Sequence, residues 1–403
     1  MPCRPNKATM SDELQQHEPF FRAILDDWDN DAPRLVYADW LQERGDPESV
    51  ARAEFIRAQC ELSRLAPEDP QRTQVEQQAH EAYKAFRANR PLWNYELFER
   101  GFGQRVIFTA QAYLESADFW SRLGPIGAVG LLTGREESNL APNDGVAAYR
   151  RLAKLPGLAF WRGVCCLSGT PLADDWFVAL IDSPHMTGLR SLAIHNSVTE
   201  AKIRALAASP HLAQLESLSL AASASSVTTF SVWDPGLEAL AQTRYLPRLR
   251  ELDLFGLYFV QPRGLVALAA SPLLAHVEEL RLAGCLWDNR SVAALVASPH
   301  LGQLRELELG TLSYIGSVHI TKQSIRTLAK WPQLRKLTHL RLDVQLAPDS
   351  LLQLFADQAP RLTSLVCLDL SNWTIPPNAP VSASMQSLLR ERFGDRVCFD
   401  RPS

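Results

Sequence analysis

From Leu189 onward one apolar motif, leucine-x-x-leucine-x-leucine, recurs seven times, and that regularity restricts more than half of the chain to a stack of like units. It reads Leu189/Leu192/Ile194, Leu215/Leu218/Leu220, Leu249/Leu252/Leu254, Val277/Leu280/Leu282, Leu304/Leu307/Leu309, Leu337/Leu340/Leu342 and Leu365/Leu368/Leu370. Successive first positions lie 26, 34, 28, 27, 33 and 28 residues apart. At such a period each unit is one supersecondary element that buries its apolar face only against its neighbours, so the product is a solenoid. The two long spacings mark insertions.

Each motif is followed by an apolar pair three residues apart: Ile203 and Leu206, Leu237 and Leu240, Leu265 and Leu268, Val292 and Leu295, Ile325 and Leu328, Leu351 and Leu354. That phase places one face of a helix against the strand layer. Several helices end in Ser-Pro, at Ser183-Pro184, Ser209-Pro210, Ser271-Pro272 and Ser298-Pro299. Proline cannot continue a helix and biases the preceding serine toward extended geometry, which turns the chain back to the sheet. The expected fold class is α/β, a solenoid whose parallel sheet lies inside a horseshoe with helices outside. A strand and a full helix in about 28 residues resemble the ribonuclease-inhibitor class of leucine-rich repeats.

Residues 11–95 read as a small all-helical domain ahead of the solenoid. Phe21, Ile24, Leu25 and Trp28 form one apolar stripe. Asp31 is placed to cap a helix with Pro33 in its first turn, and Gly45 with Asp46-Pro47 ends that helix. The stretch Asp31-Ala32-Pro33-Arg34-Leu35-Val36-Tyr37-Ala38-Asp39-Trp40-Leu41-Gln42-Glu43-Arg44-Gly45-Asp46-Pro47, continued by Ala53-Glu54-Phe55-Ile56-Arg57, resembles the bacterial repeat-companion domain of planctomycete and related genomes. The resemblance implies a domain that precedes leucine-rich repeats and implies no activity. Glu48-Ser49-Val50 departs from the family pattern and is expected to lengthen a loop or a first helical turn. Residues 1–10 are expected as a flexible extension, with Met10-Ser11-Asp12-Glu13 resembling a natural start. The remaining divisions are degenerate first repeats at 96–188, regular repeats at 189–375 and a C-terminal cap at 376–403. Strands are expected near Val106-Ile107-Phe108, Ile126 to Leu131 and Trp161 to Cys166.

The charge balance narrows the partners. With 41 basic against 45 acidic residues the chain has no basic excess to neutralise a phosphate backbone, so nucleic acid is not expected. No apolar run approaches the length of a membrane span. Seven cysteines without a C-x-x-C pair fit a reducing, cytoplasmic setting.

In a strand of this type the leucines point inward and the alternating residues face the concave side. One such column reads Ala193, Ser219, Asp253, Arg281, Glu308, Arg341, Asp369, and the column before it Ser191, Ser217, Glu251, Glu279, Glu306, His339, Cys367. The alternating charges of the first are positioned either to pair with one another along the sheet or to meet a polar partner. The successive glutamates of the second read as a solvated acidic face or as a site for a basic segment. Phe255 and Tyr258 fall outside the core phase and are surface candidates, as is Trp233 in the first insertion, 221–235. A second insertion, 310–321, carries Tyr314. Phe259, Trp287 and Tyr314 recur five residues after the last strand leucine and are expected in the core, with Cys285 a packed thiol.

Catalytic and metal motifs are missing. Asp27, Asp29 and Asp31 mimic the start of a calcium loop, but Ala32 and Ala38 stand where its glycine and bidentate acid belong. The sequence therefore points to a non-enzymatic, monomeric module without cofactor that binds a protein partner through Glu251, Asp253, Phe255, Tyr258, Glu279, Arg281, Glu306, Glu308, Arg341 and Trp233. The alternative is a targeting solenoid carrying an effector or enzymatic helical domain, with Asp39, Glu43, Arg44 and Glu54 as its polar residues.

Overall fold

The structure, a computed structural model, describes residues 7–87, 98–117, 120, 123–133, 142–168, 174–195, 198–221, 234–257, 260–311, 322–344, 357, 362–370, 374–375 and 379–399. It divides into two compact units. One holds residues 1–167 with 183–189, and the other holds 168–182 with 190–403.

The first unit begins with four helices: α1 (Lys7–Asp26), α2 (Ala32–Arg44), α3 (Pro47–Leu62) and α4 (Arg72–Arg87). Helix α1 starts inside the stretch expected as a flexible extension, so Lys7 to Met10 are helical. Phe21, Ile24, Leu25, Tyr37, Leu41 and Ile56 form the core of these helices. Gly45 ends α2 at φ +73°, a left-handed conformation that costs a glycine nothing. Asp31 does not cap α2 as expected. Its carboxylate is taken by Arg64 at 2.8 Å and Arg100 at 3.5 Å, and the Ala32 amide instead donates to the Asn30 side chain at 2.9 Å. The Glu48-Ser49-Val50 insert builds the first turn of α3, where the Ser49 amide donates to Asp46 Oδ1 at 2.9 Å.

The chain continues through β1 (Phe98–Glu99), β2 (Phe102–Phe108), α5 (Ala110–Glu115), β3 (Ile126–Thr133), α6 (Pro142–Leu152) and β4 (Gly163–Ser168). These strands lie side by side in chain order, β1 antiparallel to β2 and β2 parallel to β3 with Val106 opposite Val129. The degenerate repeats therefore share one compact unit with the helical region. Packing explains it. Phe102 and Phe160 enter the core cluster of the helices, and Phe160 meets the edge of Phe21 at a ring separation of 5.1 Å.

The second unit runs α7 (Asp175–Ile181), β5 (Ser191–Ile194), α8 (Glu200–Ala208), β6 (Ser217–Ser219), α9 (Asp234–Ala241), β7 (Glu251–Asp253), α10 (Pro262–Ala269), β8 (Glu279–Ala283), α11 (Asn289–Ala297), β9 (Glu306–Thr311), α12 (Lys322–Ala329), β10 (His339–Val344) and β11 (Cys367–Asp369). It closes with β12 (Thr374–Ile375), β13 (Ala379–Pro380), α13 (Ala383–Phe393) and β14 (Val397–Cys398). Strands β5 to β11 follow one another in parallel and β14 adds beyond β11, while β12 and β13 pair antiparallel apart from that sheet. The register aligns Leu192, Leu218, Leu252, Leu280, Leu307, Leu340 and Leu368 in one file, none more than 2% exposed. Each such leucine contributes about 1.5–3 kcal/mol of burial, which makes the file the spine of the unit. Ile203, Leu206, Leu237, Leu240, Leu265, Leu268, Val292, Leu295, Ile325 and Leu328 are all buried from the helix side. Trp287 is buried as expected, its indole N–H donating to the Leu282 carbonyl at 3.1 Å. Phe259, Tyr314, Leu351 and Leu354 lie outside the described residues.

Candidate functional site

The residues that alternate with the leucine file form the polar face of the second unit, and the strand register decides which of them meet. Asp253, Arg281, Glu308, Arg341 and Asp369 stand opposite one another on five successive strands. Their pairing is not a simple ladder along the sheet. Arg281 forms its ion pair with Glu279 on its own strand. Arg341 lies between two acids, with Nε 3.5 Å from both Glu308 Oε1 and Asp369 Oδ2. Asp253 is held from both sides, Ser219 Oγ donating to Oδ2 at 3.0 Å and the Phe255 amide to Oδ1 at 2.9 Å. Glu308 differs most from expectation. It is only 8% exposed, so it belongs to the floor of this face and not to a contact surface.

In the neighbouring row Glu251, Glu279 and Glu306 align in register, followed by His339 and Cys367. His339 Nδ1 lies 3.1 Å from Glu306 Oε1. Burial pushes the Glu279 carboxyl above its ordinary range, and Glu306, Glu251 and Asp253 add to the effect against the opposing pull of Arg281. The two rows line an open hollow of about 650 Å³ that includes Asp253, Phe255, Glu279, Arg281, Glu306, Glu308, His339, Arg341, Cys367 and Asp369. Carboxylates outnumber guanidinium groups in that lining, so the hollow has the electrostatic character of a cation site.

Eight of the ten residues expected to bind a partner are described, and seven of them line this hollow. Glu251 shares strand β7 with Asp253 but is exposed and not part of the lining. Tyr258 and Trp233 lie outside the described residues, as does most of both insertions. A third row escaped the sequence reading. Arg190, Glu216, Arg250, Glu278 and Arg305 precede the strands and alternate in sign, with Arg190 2.6 Å from Glu216 and Arg250 2.8 Å from Glu278. The alternation lies in the residues between the first two motif leucines, outside the period-two phase of the strand itself. Arg190 is largely buried and Arg250 is 63% exposed, so the row grades from structural to solvated.

Other candidates resolve into packing. Cys285 is fully buried, and burial pushes its thiol far up. In the helical region Asp39 pairs with Arg57 at 2.7 Å, and Arg44 lies over the Trp40 ring at 5.0 Å. Asp27 accepts from Asn30 and Asp31 is engaged by Arg64 and Arg100, which leaves the acidic run without the convergence a calcium loop needs. Among the described residues no group of three or more His, Cys, Asp or Glu side chains is arranged to hold a metal ion. Among the same residues no helix is long and apolar enough to cross a membrane.

No family model and no curated protein matches the sequence. Among solved structures the chain is similar to a crystal structure of a protein from Bacteroides fragilis, determined as a structural-genomics target. The two are 14% identical over 82% of this chain and 84% of that one, with a TM-score of 0.41.

Proposed function

We propose that this chain is a leucine-rich-repeat protein whose N-terminal helices form a repeat-companion domain, and that it acts as a non-enzymatic module binding a basic segment of a protein partner. One observation carries the reading: Glu251, Glu279 and Glu306 stand in register on three adjoining parallel strands. Parallel neighbours are about 4.8 Å apart, and like charges at that spacing destabilise a sheet. The Glu279 carboxyl is raised first by burial, and Glu306 and Glu251 add to that shift. Arg281 offsets it from within, and a lysine or arginine side chain entering the hollow offsets it further. The ordered Asp253, Arg281 and Arg341 beside the row supply polar groups that set the register of a bound segment.

The test measures binding of a lysine- and arginine-rich peptide, and recovery of partners from the native organism, for wild type and the triple Glu251→Lys/Glu279→Lys/Glu306→Lys variant. Peptide affinity falls at least about tenfold in the variant, and the wild-type affinity weakens with salt. Equal affinity of the two proteins removes the proposal.

A further inference from the structure

At the far end of the polar face two cysteines meet across neighbouring strands. Cys367 on β11 and Cys398 on β14 have their sulfurs 3.9 Å apart, and both side chains are half-buried. Cys60, Cys166 and Cys285 are buried in the core, so this pair combines proximity with access. The strand that carries Cys398 is only two residues long and is the last in the sheet, held by Leu368 opposite Val397 and Asp369 opposite Cys398. In a solenoid the terminal unit has one neighbour instead of two, and it frays before the rest. A disulfide needs the sulfurs about 2 Å apart, so the pair, diagonal across two adjoining strands, has roughly 2 Å to close.

We propose that Cys367 and Cys398 form a reversible dithiol–disulfide site that locks the terminal strand β14 onto β11. The site stands apart from the partner reading above, since it requires neither the glutamate row nor a bound segment.

The oxidant is a low-molecular-weight disulfide such as glutathione disulfide. The Cys398 thiolate attacks one glutathione sulfur, forming a mixed disulfide and expelling one glutathione thiolate. Cys367 then loses its proton to water and attacks the Cys398 sulfur. The internal sulfur–sulfur bond forms as the second glutathione thiolate leaves. Two electrons pass from the protein dithiol to the glutathione disulfide, and two protons end on the released glutathiones. Burial, with the adjoining Cys398 sulfur and then Asp369, pushes the Cys367 thiol up to about 11. Cys367 is therefore a thiol at neutral pH, which places it in the second step.

The experiment uses the full chain, reduced and then exposed to glutathione disulfide, with intact mass, peptide mapping and thermal unfolding as readouts. Wild type loses two hydrogens, yields one linked peptide pair containing Cys367 and Cys398, and melts several degrees higher; dithiothreitol reverses all three. Cys367→Ser stops at a glutathione adduct on Cys398. Persistent glutathione adducts on wild type, or thiols that stay free, overturn the site, and this outcome needs no variant to fold. A linked pair that leaves the melting temperature unchanged overturns the locking of β14.

Discussion

The Ser209 hydroxyl donates to the Ile181 carbonyl at 2.8 Å, so the last carbonyl of helix α7 is satisfied by the turn that follows helix α8. The same oxygen accepts from the His211 amide at 3.3 Å. Ser271 repeats the arrangement on the Ala241 carbonyl, and Thr243, which has no proline after it, does so on Ala207 at 2.6 Å. The hydroxyl thus works without the proline at Thr243, while Trp331-Pro332 keeps the proline without a hydroxyl, so the two parts of the turn are separable. Ser209→Ala leaves a buried carbonyl unsatisfied and costs about 1–3 kcal/mol, whereas Pro210→Ala costs less than about 1 kcal/mol through the unfolded chain. Urea unfolding of the two variants decides between them; an equal or larger loss in Pro210→Ala contradicts the assignment.

Asp234 ties two successive helices together. It opens α9, and its Oδ1 accepts from the Gln261 amide at 2.8 Å where α10 begins. Gly264 lets the carboxylate come this close, because a Cβ there meets Asp234 Oδ1 at 2.8 Å. Burial raises the Asp234 carboxyl above its ordinary range, outweighing the amides of Gln261 and Gly264. Asn supplies the same acceptor without the buried charge. Asp234→Asn is therefore expected to melt within a degree or so of wild type at pH 7, and Asp234→Ala to lose about 1–3 kcal/mol. Gly264→Ala is expected to lose stability in the Asp234 background and to lose less in Asp234→Ala. A Gly264→Ala cost that is independent of residue 234 rules out this contact as the reason for the glycine.

Glu279 separates stability from binding. Its carboxyl is raised in the folded protein, first by burial and then by neighbouring acids, relative to the usual 4.5. Folded protein thus holds this proton to higher pH than unfolded chain does. The stability this group contributes is full below about pH 4.5 and is lost as pH rises through the folded value. Glu279→Gln removes that loss, so the variant melts about one or two degrees above wild type at pH 7 and level with it below pH 4.5. It also binds a basic peptide more weakly if the proposed site is used. Thermal melts from pH 4 to 8 check the first expectation; a variant less stable than wild type at pH 7 shows that the Arg281 pair outweighs the burial of the charge.

The leucine file and the helix pairs were legible because a single period dictates both, and burial follows from the period alone. Ser209 and Ser271 were read only through the prolines beside them, since a dipeptide signals backbone geometry but not the partner of a hydroxyl a full repeat away. Thr243 escaped entirely for the same reason. Glu308 shares the exposed phase of Asp253 and Arg281, yet the register sets it between arginines on both sides, and a one-dimensional pattern carries no measure of how tightly flanking side chains close over a position. Phe102 and Phe160 were assigned to degenerate repeats by order along the chain. Their aromatic rings belong to the helical core, a long-range contact that periodicity does not encode.

Arg341 tests whether the polar face is partly a structural device. Its Nε lies 3.5 Å from a carboxylate oxygen of both Glu308 and Asp369, and Glu308 is 8% exposed. Removing the guanidinium leaves a carboxylate enclosed without one of the two arginines that flank it, a situation that costs about 3–5 kcal/mol when both partners are fully buried. The Arg341 side chain is 31% exposed, and water recovers part of that loss, so Arg341→Ala is expected to cost about 1–3 kcal/mol. Arg250→Ala provides the contrast, because the Arg250–Glu278 pair is 63% and 48% exposed and its loss falls within about 0.5 kcal/mol. Neutralising the stranded acid distinguishes charge from packing: Glu308→Gln restores most of the stability in the Arg341→Ala background and costs stability in wild type. Denaturant unfolding of the four proteins closes the cycle. A coupling near zero means that groups other than Arg341 hold Glu308, and then Arg341 can turn toward a partner at little cost to the fold.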